Sequence, residues 1–208
     1  MTLRIAVLAS HGGSNMQAIV DAIEARRLDA RVVLVVSNNS DAGAHERARR
    51  HGLPWAHLSG QTHADPEALD RAICDALLAA GAEVVVLAGY MKRIGPRTLE
   101  AFRGRILNIH PALLPRHGGS GMYGIRPHEA VLAAGDAETG ATVHLVTEEY
   151  DRGPVLRQRK VPVLPGDTPE TLQKRVLVEE HRIYPEVLAD LAAGRIPLPV
   201  PQTGAHGP

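Results

Sequence analysis

Asn108 and His110, in the stretch Leu107-Asn108-Ile109-His110-Pro111, set an amide and an imidazole two residues apart. On a strand, residues i and i+2 point to the same face. The two groups would then stand side by side at a strand end, where Pro111 stops the ladder and opens a loop. An amide donor beside a proton carrier suits acyl chemistry, since one holds a developing oxyanion and the other moves protons. The plainer reading is an Asn that serves the turn and a His that is only hydrogen-bonded. Either way, two polar groups closing an apolar strand need partners. Asp151, in Asp151-Arg152-Gly153-Pro154, is open to two readings as well: a turn former, or a carboxylate that pairs with an imidazole and raises its pKa.

A second cluster is Ser10-His11-Gly12-Gly13-Ser14-Asn15, between an apolar run and a helical pattern. Free N–H groups at a helix start, with hydroxyl and amide side chains beside them, hold phosphate. A tight turn with Ser14 as helix N-cap explains the same residues. The spacing is neither a dinucleotide fingerprint nor a Walker loop. Glu180 falls on the apolar face traced by Leu172, Val176, Ile183, Val187 and Leu191, where a carboxylate needs a cation or a donor. A structural salt bridge and a substrate ammonium both satisfy that need. His144 alternates with Val143 and Leu145 in a strand pattern, and either faces the site or is only hydrogen-bonded. His45, His51 and His63 lie in polar surroundings, and His206 lies near the end of the chain. His117 and His128 lack further ligands at metal-site offsets, so no metal is expected. No Gly-x-Ser-x-Gly nucleophile elbow is present.

These residues must be positioned by elements that alternate along the chain. Short apolar runs at Leu3–Ala9, Arg31–Ser37, Glu83–Ala88 and Arg105–His110, with a shorter one at Pro54–Leu58, read as strands. Helical patterns intervene, from Ser14, from about Ala42 to His51, from Asp65-Pro66, and near Pro96–Phe102. Such alternation predicts an α/β fold: a Rossmann-like, open, mostly parallel sheet with helices on both faces. After about Gly135 the pattern changes. Thr139–Val146 and Val155–Val163 read as an antiparallel hairpin that extends the sheet. A long C-terminal helix follows, from about Thr168 to Ala193, with a kink expected near Pro185. Gly118-Gly119-Ser120-Gly121 reads as a lid or site loop. Residues 1–195 are expected to form one domain, and the Pro/Gly-rich tail from 196 to 208 to be loose.

Composition narrows the function classes. The chain has 208 residues, 23 Lys+Arg against 23 Asp+Glu, and 3% aromatics. Zero net charge argues against a polyanion binder, so no nucleic-acid partner is expected. One cysteine, Cys74, excludes an internal disulfide and makes a reducing cytoplasm the default. No apolar run approaches the ~20 residues of a membrane span, and the N-terminus lacks the marks of a signal peptide.

In this order, these segments resemble the phosphoribosylglycinamide formyltransferases (glycinamide ribonucleotide transformylases) of the folate-dependent formyltransferase superfamily. The resemblance rests on Gly12-Gly13-Ser14-Asn15, Val84 to Met91, Leu107 to Pro115, Thr142-Val143-His144, Asp151-x-Gly153-Pro154, and Glu180-His181-x-Ile183-Tyr184-Pro185, and it covers Ile5 to about Leu191. It implies formyl transfer from 10-formyltetrahydrofolate, as co-substrate, to the amine of glycinamide ribonucleotide. Asn108, His110 and Asp151 match the family's catalytic trio, with Asp151 keeping His110 charged and ordering a water that relays protons. Gly13, Ser14 and Asn15 match the phosphate loop, and Glu180 the carboxylate at the glycinamide end. Met91, Lys92, Arg93 and Ile94 match the folate-pocket segment, with Asn108 beside it. The loop Thr147, Glu148, Glu149, Tyr150 and Asp151 would close over the pteridine. The resemblance implies a nucleotide-phosphate half at about 1–100 and a folate and catalytic half at about 101–195.

Some positions depart from the family pattern. His11 stands where the family usually carries Gly, Pro66 where some members carry Arg, and Leu177 where some carry a polar substrate contact. The stretch from Gly118 to Arg126 follows a longer loop variant. Two families that share the Asn-x-His core are the nearest alternatives. A methionyl-tRNA formyltransferase should add a basic tRNA-binding domain, and a formyltetrahydrofolate hydrolase an extra N-terminal domain. A non-catalytic nucleotide-binding module is the alternative from another class, and it predicts that Asn108, His110 and Asp151 do not converge. The partners expected are small molecules, with the chain acting as a monomer or homodimer.

Overall fold

The computed structural model describes residues 2–200. Seven strands form one sheet in the order β3-β2-β1-β4-β5-β6-β7. In chain order the elements are β1 (Leu3–Leu8), α1 (Ser14–Glu24), β2 (Ala30–Ser37), α2 (Gly43–Arg50), β3 (Trp55–His57), α3 (Pro66–Ala79), β4 (Val84–Leu87), α4 (Pro96–Ala101), β5 (Ile106–His110), α5 (Arg126–Ala134), β6 (Glu138–Leu145), β7 (Val155–Pro162) and α6 (Pro169–Ala192). β1 to β5 pair in parallel, whereas β5-β6 and β6-β7 are antiparallel. The mostly parallel sheet and its antiparallel extension are as the strand pattern predicts.

β1 shows why the strands read as continuous apolar runs. Ile5 and Val7 point into the core formed with α1, α2, α5 and α6. Ala6 and Leu8 point to the opposite face, against Ile73 and Leu77 of α3 and Phe102. A central strand buried on both faces has no polar side to show. β1 has β2 on one side and β4 on the other, so the chain crosses over the sheet beside it. The carboxyl ends of strands at such a switch point form a crevice open to ligands.

The helix ends have local causes. Asp65 caps α3 by accepting from the Glu67 and Ala68 N–H groups, with Pro66 in the first turn. Thr168 and Thr171 make a reciprocal capping box at α6. α6 runs on through Pro185, since Tyr184, Pro185, Val187 and Leu188 are all buried against the sheet. Packing of that face holds the helix where a missing N–H weakens it. Tyr184 also sends its Oη to the carbonyls of Leu87 and Leu107, 3.1 and 3.0 Å away, at β4 and β5.

Two expectations change. Ser14 is not the N-cap of α1. Gly13 is, at φ +69°, and no side chain caps this helix. A Cβ on Gly13 would lie 3.1 Å from Ala44, so the close approach of α2 favours glycine there. The first part of the tail is not loose. Val200 is buried and its N–H donates to the Gly104 carbonyl at 2.8 Å, while Ile196 and Leu198 pack on the core. Apolar side chains spaced between the prolines join the core cluster that α6 also packs on. The rest of the tail, with His206, lies outside the described residues.

Candidate active site

A cavity of about 730 Å³ opens at the carboxyl ends of β1, β4 and β5. Its wall includes Gly13, Ser14 and Asn15 from the first loop, Asn108 and His110 from β5, Asp151 from the β6–β7 turn, and Glu180 from α6. Segments more than a hundred residues apart in the chain are thus joined by the sheet order alone.

Asn108 and His110 are placed by strand register. β5 pairs with β6 so that Asn108 faces His144 and His110 faces Thr142. Asn108 Nδ2 consequently lies 3.1 Å from His144 Nε2. His144 Nδ1 donates to the Leu145 carbonyl at 2.8 Å, which fixes the ring. His144, open between two readings in the sequence, is therefore buried beside the site and orients the amide.

Asp151 sits in the turn at φ +54°, a conformation that Asp tolerates better than most residues. It is a turn residue whose carboxylate also reaches two imidazoles. Its carboxylate lies 3.5 Å from His110 Nδ1 and 3.5 Å from His144 Nε2, and accepts the Gly119 N–H at 2.8 Å. Burial works to raise the Asp151 pKa, but His144, the charge of His110 and the Gly119 N–H outweigh it, so the group stays below the usual carboxylate range. His110 is held on its other side as well, with Nε2 donating to the His117 carbonyl at 2.8 Å.

The expectation that Asp151 keeps His110 charged needs correction. Burial is the largest influence on His110 and lowers its pKa; Asp151 and the His117 carbonyl raise it, but not enough to reverse the sign. At 3% exposure, the charged ring loses more by desolvation than one carboxylate at 3.5 Å restores.

The first loop leaves N–H groups free at the start of α1, an arrangement that suits an anion. Gly13 turns the chain left-handed, and the first-turn N–H groups of α1 have no intrahelical acceptors. His11 does not take a left-handed φ; that conformation falls on Gly13. The carbonyls of His11 and Gly12 accept from the Ala44 N–H and Arg47 Nε at 3.1 and 2.7 Å, anchoring the loop to α2. Glu180 is buried and takes the Asn15 Nδ2–H at 2.7 Å. Burial pushes its carboxyl up, and the Asn15 hydrogen bond opposes this only in part. The salt-bridge reading of Glu180 fails, because its partner among the described residues is an amide.

The chain matches the formyl transferase family over residues 3–188. The phosphoribosylglycinamide formyltransferase of Escherichia coli (strain K12) is 41% identical over 194 residues, 93% of this chain and 89% of that protein. The chloroplastic phosphoribosylglycinamide formyltransferase of Arabidopsis thaliana is 44% identical, and the chain spans 66% of its length and 93% of its own. Among solved structures, glycinamide ribonucleotide transformylase 1 from Symbiobacterium toebii superposes with a TM-score of 0.88 at 44% identity, covering 93% of this chain and 89% of that one. The chain belongs to the phosphoribosylglycinamide formyltransferase family.

In this member of the formyltransferase family the residues expected to hold folate are spread over adjoining hollows. Met91 and Tyr150 line the main cavity, and Lys92 lines both it and a neighbouring one of about 1180 Å³. Arg93, Ile94 and Glu148 line that neighbour, while Thr147, Glu148 and Glu149 line a third, of about 590 Å³. Arg93 ties the two segments together. It donates to the Glu148 carbonyl at 3.0 Å, and its guanidinium sits 5.8 Å from the centre of the Tyr150 ring.

Sequence reasoning named Ser10 only as part of the first loop and His117 only among candidate metal ligands, and passed over Asp70; the structure makes all three supports of the cavity wall. Ser10 Oγ accepts the Met91 N–H at 2.7 Å and donates to Asn38 Oδ1 at 2.5 Å, so it links the first loop to the expected folate segment. Asp70, buried on α3, accepts the Arg97 and Thr98 N–H groups at 2.8 and 3.1 Å and so caps α4. A Cβ on Gly95 would strike that carboxylate, which favours glycine at the end of the 91–95 segment. His117, at φ +53°, turns its carbonyl onto His110. A polar residue beside a turn, as Ser10 and His117 are, or one Asp within a helix, as Asp70 is, is too common a pattern to reveal these contacts.

Among the described residues, no helix is long and apolar enough to cross a membrane.

Proposed function

We propose that the chain transfers the formyl group of 10-formyltetrahydrofolate to the amine of glycinamide ribonucleotide, giving formylglycinamide ribonucleotide and tetrahydrofolate in purine biosynthesis. The observation that carries this reading is the approach of Asp151 to within 3.5 Å of His110, on one cavity wall with Asn108, Gly13–Asn15 and Glu180.

The first loop takes the substrate phosphate on its N–H groups, and Glu180 holds the glycinamide end. The amine nitrogen attacks the formyl carbon, and the carbonyl electron pair moves onto oxygen. Asn108 Nδ2 has a second hydrogen beyond the one facing His144, and it donates to that oxygen together with His110. Burial disfavours a charged His110 before the reaction. The developing oxyanion supplies the opposite charge that desolvation removed, so the imidazolium is stabilised most in the transition state. For Nε2 to reach the substrate, the His117 carbonyl must withdraw. Asp151, ionised at neutral pH, accepts a proton from the attacking nitrogen through water. As the intermediate collapses, that proton goes to the departing folate nitrogen.

Residues at about 1–100 serve mainly the nucleotide phosphate, and those at about 101–195 the chemistry. Met91 to Ile94 and the turn Thr147 to Asp151 flank the folate. The enzyme is a cytoplasmic monomer or homodimer that acts on small molecules and needs no metal.

The test is an assay of glycinamide ribonucleotide with 10-formyltetrahydrofolate on wild type, Asn108→Ala and Asp151→Asn. Turnover by wild type and a loss of roughly 100-fold or more in each variant are expected. An inert wild type would overturn the activity, and undiminished variants the assigned roles.

A further inference from the structure

The main cavity contains one buried titratable side chain that neither the catalytic trio nor the fold employs. His128, on the first turn of α5, lines the cavity wall and is 1% exposed. Both its ring nitrogens are buried, and neither has a hydrogen-bond partner among the described residues. Leaving a buried polar group unpaired destabilises a fold, so one that is kept calls for a reason. Asn15, on the same cavity, repeats the feature: its Nδ2 serves Glu180, while its buried Oδ1 has no partner. His128, Asn15 and Glu180 are each more than nine-tenths buried. Together they offer hydrogen-bonding capacity that the described chain does not use.

Burial first, and then the charge of His110, push the His128 pKa down to about 4. At neutral pH the ring therefore has one N–H donor and one bare acceptor nitrogen. A ligand that fits such a set bears both donors and acceptors close together. The amide-and-amine end of a glycinamide has that composition.

We propose that His128 is a substrate-binding residue, holding the amide-and-amine end of the acceptor substrate against Asn15 and Glu180. This rests on the function proposed above, and it adds to that reading a side chain from α5.

The test compares wild type with His128→Leu, which fills similar volume without polar atoms, and with His128→Gln, which restores a donor and an acceptor. His128→Leu is expected to melt at or above the wild-type temperature, because an unpaired polar group has gone. Its KM for glycinamide ribonucleotide should rise roughly tenfold or more, with the KM for formyl folate changed less than about twofold. His128→Gln should recover most of the loss. An unchanged KM for the ribonucleotide, or equal rises in both KM values, would overturn the proposal. If the leucine variant does not fold, 15N-histidine spectra of the wild type decide, with the His128 signals identified from His128→Gln. Those signals should move on saturation with glycinamide ribonucleotide, and signals that stay still count against the contact. A wild type that does not turn over the ribonucleotide removes the proposed function, and this inference with it.

Discussion

His110 Nδ1 lies 3.5 Å from Asp151 Oδ2, and both groups have pKa values below their ordinary ones. An isolated ion pair would lower the acid and raise the base. Here burial dominates at the imidazole and reverses its sign, while the carboxylate has His144 and the Gly119 N–H as additional partners. In the proposed reaction the developing oxyanion supplies the further negative charge that would favour the imidazolium.

Asp151→Asn isolates that relationship, because Asn tolerates the φ of +54° and the turn is kept. We expect kcat to fall roughly 100- to 10,000-fold, the range for a lost proton carrier. The His110 pKa should fall further, as one of the groups that raise it is gone. A depressed carboxylate adds stability above its unfolded pKa and loses it as pH falls through the folded value. The stability gap between wild type and Asp151→Asn should therefore be present at pH 7 and shrink towards pH 3. Urea melts at the two pH values check this, and a gap that grows on acidification would contradict it.

His128 gives a second pH effect of the same sign, in a higher pH window. Its folded pKa of about 4 lies below the unfolded value near 6.5, so the unfolded chain binds a proton that the folded chain refuses. Stability should decline as pH drops from about 6.5 to about 4, by up to roughly 3 kcal/mol from this residue. Burial lowers His110 and His181 in the same direction. His128→Leu should flatten the curve in that interval. An identical curve in both proteins would mean that folding leaves the His128 pKa unshifted, and would contradict this expectation.

Ser10→Ala removes the hydroxyl between Met91 and Asn38. The Met91 N–H loses its acceptor, which should destabilise the protein by about 1–3 kcal/mol. Because the Met91 segment then shifts, the KM for formyl folate should rise more than that for the ribonucleotide. Ser10→Cys, with a weaker acceptor, should fall between the two. Steady-state kinetics with each substrate varied in turn would show whether the defect is confined to the folate side.

Gly118→Ala tests the packing behind the carboxylate. A Cβ there would strike Leu114 Cδ2 and lie 3.1 Å from Asp151 Cβ. The leucine methyl can rotate away, whereas Asp151 must give by a few tenths of an ångström. A fall of roughly 3- to 30-fold in kcat with little change in Tm is expected from so small a displacement. A large Tm loss with unchanged kcat would mean that the strain is taken up elsewhere.

The sequence alone determined the strand-helix alternation and therefore the α/β class. A strand buried on both faces must be apolar throughout, as Leu3 to Leu8 is. It also determined that Asn108 and His110 share a face, because period two is a property of any strand. What it could not determine depended on which strands become neighbours. Asn108 meets His144 only because β5 and β6 run antiparallel in one register, and Ser10 meets Met91 across 81 residues only because β4 lies beside β1. Neither contact leaves a local trace in composition or spacing. The lowered pKa of His110 is hidden from the sequence for the same reason: desolvation is a sum over everything packed around a group, and Asp151 is only one member of it. His128 shows the limit most clearly. With no convincing partner at nearby offsets it looked ordinary in the sequence, and tertiary packing placed it, unpaired and buried, in the wall of the active cavity.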